Sequence, residues 1–336
     1  MSGIPEARPH TSDQPEADAP PTPQDTPDPA EPIAQPAPTQ EGQADPATIT
    51  PSESFFESYA QQLLSPPAPR YPNFFDVLVL AVLLFLNWFV SGLFLATALH
   101  FHLWGVSTTK QALNDIHYTL GAQVVWYFMA FAECFALFPI MWRTPYFAAL
   151  EWNAKAAFRK RWRLLTAAFA CFVLAIADGI LLPGPPDTPI DQVFRMPGAA
   201  WLLFVFGVTM APFFEEMAFR GFLLPAFNTA ADWTAQRLLH VPAPHPDLDG
   251  RTHWSVGAMI VGSVLTSIPF ALMHAVQTGW SLGPFLLLVC VSMVLCWVRL
   301  STRSLAASTL VHSSYNLLLF LLMIAGTGGF KHFERI

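Results

Sequence analysis

The chain has 336 residues, of which 53% are hydrophobic and only 12% charged, with a formal net charge of −7. About a quarter of the residues of an ordinary soluble domain are charged, so this chain lacks the means to cover a soluble surface. Its apolar residues also run in blocks far longer than the strands of a sandwich or α/β core. The expected fold class is all-α: a polytopic membrane helix bundle of about seven transmembrane helices with a disordered N-terminal tail.

The acidity belongs to the tail. Residues 1–70 concentrate Asp and Glu and hold only Arg8 and Arg70 as cations, leaving the remainder close to neutral or slightly basic. Rich in Pro, Ala, Thr and Gln, this segment cannot bury enough apolar area to offset chain entropy, and 1–52 reads as disordered. It has no basic region followed by an apolar one, so it is not a signal peptide. Ser54–Leu64 reads either as an amphipathic helix on the membrane surface or as a sticky linker patch.

The transmembrane domain is expected over 71–330. A bilayer core needs about 20 mostly apolar helical residues, and the predicted spans are 75–99, 120–142, 164–182, about 199 to just before Pro225, 256–276, 283–298 and 305–325. Lys and Arg gather after the second span (Arg143, Lys155, Arg159, Lys160, Arg161, Arg163), after the fourth (Arg237, Arg251) and after the sixth (Arg299, Arg303). The positive-inside rule then puts the N-terminus in the cytoplasm and the C-terminus outside; Lys331 and Arg335 run against this. Cys134, Cys171, Cys290 and Cys296 lie in apolar blocks without CxxC spacing and read as packing residues.

An ionisable side chain at membrane depth costs at least about 2.5–3.5 kcal/mol on insertion scales unless paired or hydrated. Three spots carry such residues. In Glu215-Glu216-Met217-Ala218-Phe219-Arg220, the i,i+4 spacing lets Arg220 neutralise Glu216 and leaves Glu215 for another task; a salt bridge at a helix end is the plain alternative. In Phe270-Ala271-Leu272-Met273-His274, the lone His follows Pro269, and a satisfied interfacial residue is its plain reading. In His312-Ser313-Ser314-Tyr315-Asn316, His312 and Asn316 share one face with Ser308; interhelical hydrogen bonding is the plain reading there.

Together the three spots supply a carboxylate base, histidines, and amide and imidazole donors for a developing oxyanion. In order and spacing they resemble the EExxxR, FxxxH and HxxxN motifs of the CPBP family of intramembrane proteases, which includes the CAAX prenyl endopeptidases of the Rce1 type and bacterial Abi proteins. The resemblance covers about residues 200–320. It implies that Glu215 activates water, that His274 helps hold that water, and that His312 and Asn316 donate to the oxyanion. Glu216 and Arg220 would support them. Family members have been described as metalloproteases and as glutamate-dependent enzymes. HExxH is absent here, and an Asn suits an oxyanion site better than a metal, so no cofactor is favoured. The alternative is a divalent metal such as zinc held by Glu215, His274 and His312.

With these spans His274 lies deeper than Glu215, His312 and Asn316, unless the fifth helix begins in water. The expected function is intramembrane hydrolysis of a peptide bond in a membrane-associated peptide or protein. The alternative is a non-proteolytic membrane scaffold or peptide-immunity protein that keeps the cluster for packing. The partners are that substrate and the lipid bilayer, with no nucleic acid; in a bacterium the site would be the plasma membrane. No residue pattern reveals a groove for a prenyl group.

Overall fold

The structure is a computed structural model describing residues 72–185, 187–244 and 254–332. The readings made for the acidic tail and for Ser54–Leu64 fall outside these residues. Among the described residues seven helices are long and apolar enough to cross a membrane: α1 (Phe74–His100), α2 (Ile116–Trp142), α3 (Arg161–Leu181), α4 (Ala199–Leu238), α5 (Val256–Ala275), α6 (Leu282–Thr302) and α7 (Leu305–Thr327). No strand occurs among them. The chain is an integral, multi-pass membrane protein.

Local chemistry sets the helix starts. Asn73 caps α1 by accepting from the Phe75 and Asp76 amides, and the Asp76 carboxylate accepts the Asn73 N–H in return, a reciprocal box that satisfies otherwise orphaned donors. Asp76 also accepts from Trp142 Nε1 at 3.0 Å, which ties the start of α1 to the end of α2. Ser304 caps α7 through the Ala307 amide, while its hydroxyl donates to the Asn153 carbonyl. Arg299, near the end of α6, pairs with Glu151 at 2.7 Å and donates to the Leu150 carbonyl. The 146–153 segment is thereby fastened to one end of the bundle.

Two apolar clusters fill the interior. One joins α3, α6 and α7 through Leu164, Cys171, Leu295, Val298, Val311 and Tyr315. The other joins the end of α2 to the site-bearing helix through Phe138, Trp142, Tyr146, Leu150, Met217 and Phe222. Cys134, Cys171 and Cys296 are buried free thiols, as packing residues would be, whereas Cys290 is exposed on α6. Large apolar side chains such as Phe85, Trp88, Phe89 and Leu93 cover the outside of α1, where lipid replaces water as solvent.

Six spans match the sequence expectation within a few residues. The fourth does not: α4 continues through Pro225 to Leu238, a 40-residue helix. Proline breaks an α-helix through its missing N–H and a clash with the preceding turn. Here Met217–Leu223, just before it, winds as a wider π-helix, and Pro225 stands at the start of the next α-helical stretch.

This extension sets the register of α5. The Ser255 amide and hydroxyl both donate to the Asp232 carboxylate, Gly262 lies against Asn228, and the Phe219 and Phe270 rings meet edge-on at 5.2 Å. These pairings step antiparallel along the two helices. One turn past Phe270, the same stepping brings His274 level with the Glu215 region. The depth mismatch expected from sequence is thus removed: α5 starts beside Asp232, far beyond the point where the fourth span was expected to stop.

A Cβ on Gly262 would run into Asn228 Oδ1 and lie 3.0 Å from the Asn228 backbone nitrogen. Overpacking a tight contact costs about 1–3 kcal/mol. Gly262→Ala is therefore expected to lower the thermal unfolding midpoint in detergent by several degrees. An unchanged midpoint would mean that the α4–α5 contact is looser than described.

Candidate functional site

The polar cluster sits where α4 is least regular. Phe206–Met210 and Met217–Leu223 are π-helical and flank the α-helical turn Ala211–Glu216; such widened turns recur at functional sites. In the first of them the Ala211 N–H reaches back to the Phe206 carbonyl. The same register would pair residue 212 with Gly207, but Pro212 has no N–H to give. Asn316 Nδ2, from α7, donates to the Gly207 carbonyl at 2.8 Å instead. Asn316 therefore fills a hole left by Pro212, and its second amide N–H is left for other use.

Glu216 and Arg220 form the fixed centre. Both side chains are 0% exposed, and Arg220 Nη1 donates to Glu216 Oε1 at 2.9 Å. Arg220 Nη2 donates to Ser292 Oγ at 2.7 Å and to the Ser292 carbonyl at 3.1 Å. Phe270 lies beneath the guanidinium, 4.6 Å from its ring centroid, a favourable site for a desolvated cation. The i,i+4 pairing read from the sequence is present. Its anchor, Ser292 on α6, was not foreseen, because a single Ser in an apolar run carries no pattern.

His312 joins this centre through Nδ1, 3.0 Å from Glu216 Oε1. As the carboxylate partner of Arg220, Glu216 can only accept, so Nδ1 carries the proton. In the neutral ring Nε2 is then an acceptor, and it lies 3.8 Å from Glu215 Oε2. That gap exceeds a direct hydrogen bond. Glu215 is 11% exposed on its side chain. Its other surroundings are a cavity of about 170 Å³, walled mainly by apolar groups including Leu80, Leu84, Phe131, Phe219 and Met273.

His274 stands one step further out. Its Nδ1 lies 2.9 Å from the Phe270 carbonyl, an acceptor-only group, so Nδ1 carries the proton and Nε2 is the acceptor. The Phe270 ring touches both His274, at 5.1 Å, and His312, at 5.8 Å. Glu215, Glu216, Arg220 and His312 thus come together directly. His274 is linked through Phe270, and Asn316 through the neighbouring turn. Among the described residues no three His, Cys, Asp or Glu side chains group as a metal-ligand set.

A membrane-embedded carboxylate facing an imidazole that a buried ion pair holds in place is a constellation suited to hydrolytic chemistry. Residues 197–318 match the family described as type II CAAX prenyl endopeptidase Rce1-like, which supports the resemblance of that segment to the CPBP/CAAX membrane proteases. No curated protein and no solved structure matches the chain. The matched segment contains all three motifs and leaves α1–α3 outside, although α1 and α2 supply part of the cavity wall.

Removing one partner of a buried ion pair costs about 3–5 kcal/mol, largely from the charge left behind. Arg220→Met is expected to destabilise the protein by about that amount. The double variant Glu216→Gln, Arg220→Met should lose less, as read by thermal unfolding in detergent. A double variant at least as unstable as the single one would contradict the pairing.

Proposed function

We propose that the protein is an intramembrane endopeptidase in which Glu215 activates a water molecule against a peptide bond of a membrane-associated substrate. The observation that carries this reading is the pair Glu215 Oε2 and His312 Nε2, two acceptors facing each other across 3.8 Å. Acceptors at that separation are bridged by a group with two donors, and water is such a group. One O–H directed at each would leave the water oxygen's lone pair for the substrate carbonyl.

In the reaction, the water oxygen bonds to the carbonyl carbon and Glu215 takes a water proton. The carbonyl oxygen becomes an oxyanion, for which the second N–H of Asn316 is a donor; His312, with its Nδ1–H donated to Glu216, gives up the oxyanion-donor role that the family resemblance implied and acts on the water instead. The C–N bond then breaks and the proton held by Glu215 passes to the leaving amine. Glu216 holds His312 in one tautomer, and Arg220 neutralises Glu216. His274, with Nε2 as acceptor, helps orient the water. Nothing in this sequence of steps needs a metal; zinc at Glu215, His274 and His312 is the alternative that a chelator tests.

The start of α1, the end of α2, the end of α6 and the start of α7 lie at one end of the bundle, and Arg143, Lys155, Arg159, Lys160, Arg161, Arg163, Arg299 and Arg303 gather there. We assign this end, and the N-terminus, to the cytoplasm. The family's name supplies one candidate substrate class, a prenylated C-terminal peptide.

The test is cleavage of a quenched-fluorescent peptide library, with prenylated and unmodified members, by detergent-purified protein. Glu215→Gln is expected to lower kcat by about 10²–10⁴-fold, the range of a general base, with the unfolding midpoint retained. His312→Ala should fall comparably. Undiminished cleavage in both variants would refute the assignment and leave the scaffold reading. Activity lost to a chelator and restored by zinc would replace the metal-free mechanism with a metal-dependent one.

A further inference from the structure

The cavity beside Glu215 is built partly by helices outside the matched segment, and it holds a second polar group. α1 contributes Leu80 and Leu84, and α2 contributes Trp126, Tyr127, Ala130, Phe131 and Cys134. Two donors among the lining residues are already engaged. Trp126 Nε1 donates to the Leu84 carbonyl at 2.7 Å, and the Tyr146 hydroxyl is directed at Met217 Sδ at 3.9 Å. Tyr127 differs. Its ring packs 4.8 Å from Phe214, the residue immediately before Glu215, and stacks at 5.9 Å on Phe206. Tyr127 and Glu215 both line the cavity.

The chemistry has a place for such a group. An oxyanion formed in a poorly hydrated cavity is best stabilised by preorganised donors. On the Glu215 reading, His312 and His274 use Nδ1 on Glu216 and on the Phe270 carbonyl, and Asn316 has one N–H engaged by Gly207. The site is therefore short of donors. A phenol held between two aromatic rings supplies one without a charge and with little rotamer freedom to lose.

We propose that Tyr127 is a further catalytic residue, whose hydroxyl donates a hydrogen bond to the carbonyl oxygen of the scissile peptide as that oxygen becomes an oxyanion. No proton is transferred in this contact. The proton balance remains with Glu215, which receives it from water and returns it to the amine. The proposal rests on the Glu215 reading, and it gives α2 a part in the chemistry.

The experiment uses the full-length protein and the library peptide that the wild type cleaves fastest. Tyr127→Phe keeps the ring and its packing and removes only the hydroxyl. The expected result is a fall in kcat of about 10²-fold, the scale of losing one oxyanion donor, with KM within about threefold and an unchanged unfolding midpoint. Replacing Tyr127 by p-aminophenylalanine restores an N–H donor on the same ring and should recover at least about a tenth of the activity. Tyr127→Phe within about threefold of wild-type kcat, or equal losses in the Phe and p-aminophenylalanine proteins, would overturn the proposal. If Glu215→Gln is inactive while Tyr127→Phe is active, only the Tyr127 assignment fails. If Glu215→Gln keeps wild-type activity, the underlying reading fails with it.

Discussion

The rest of the site depends on a buried charge that cannot stand alone. Glu216 and Arg220 are fully buried on a membrane helix, where an unpaired ion is disfavoured by several kcal/mol. Pairing them at i,i+4 meets that requirement and leaves further valences. Arg220 uses one on Ser292 of α6, and Glu216 uses one on His312 of α7. One salt bridge thereby fixes the relative position of three helices and selects the tautomer of the histidine. With Nδ1 held, His312 must present Nε2 to Glu215. A hydrophobic pair in the same place would pack as well but would orient nothing.

The second constraint is register. Residues of α4 and α5 meet at Asp232–Ser255, Asn228–Gly262 and Phe219–Phe270. Because antiparallel helices advance at the same rise of about 1.5 Å per residue, the pairing at one end dictates which residues face each other at the other. Asp232 therefore helps place His274, although it lies far from the chemistry. Without the continuation of α4 past Pro225, Ser255 would lose Asp232 and α5 would lack the α4 pairings that set its register.

Much of this was legible in the residues. Seven apolar blocks announce seven spans because the bilayer demands about 20 apolar residues from each helix that crosses it. The three polar motifs stand out for the converse reason, since polar groups at that depth need partners. What escaped was whatever depends on how the backbone winds. Proline in a sequence argues for a helix end, as Pro225 does here; the π-helical stretch that absorbs it has no composition of its own. Ser292 and Tyr127 are ordinary residues in apolar runs and acquire meaning only when Arg220 and Glu215 are placed beside them.

Asn316 joins these two levels. Sequence reasoning gives it a donor's role in catalysis, whereas the winding of α4 gives it a donor's role in the fold, at the Gly207 carbonyl that Pro212 cannot serve. The two roles are compatible because a primary amide has two N–H groups in one plane. Anchoring one of them sets the direction of the other. Pro212 therefore does more than loosen α4: by leaving a carbonyl without its backbone donor, it recruits Asn316 from α7 and holds the amide at the stretch just before the one that carries Glu215. A serine in place of Asn316 could satisfy Gly207 but would have no second proton to offer, which is the physical reason an amide suits this position.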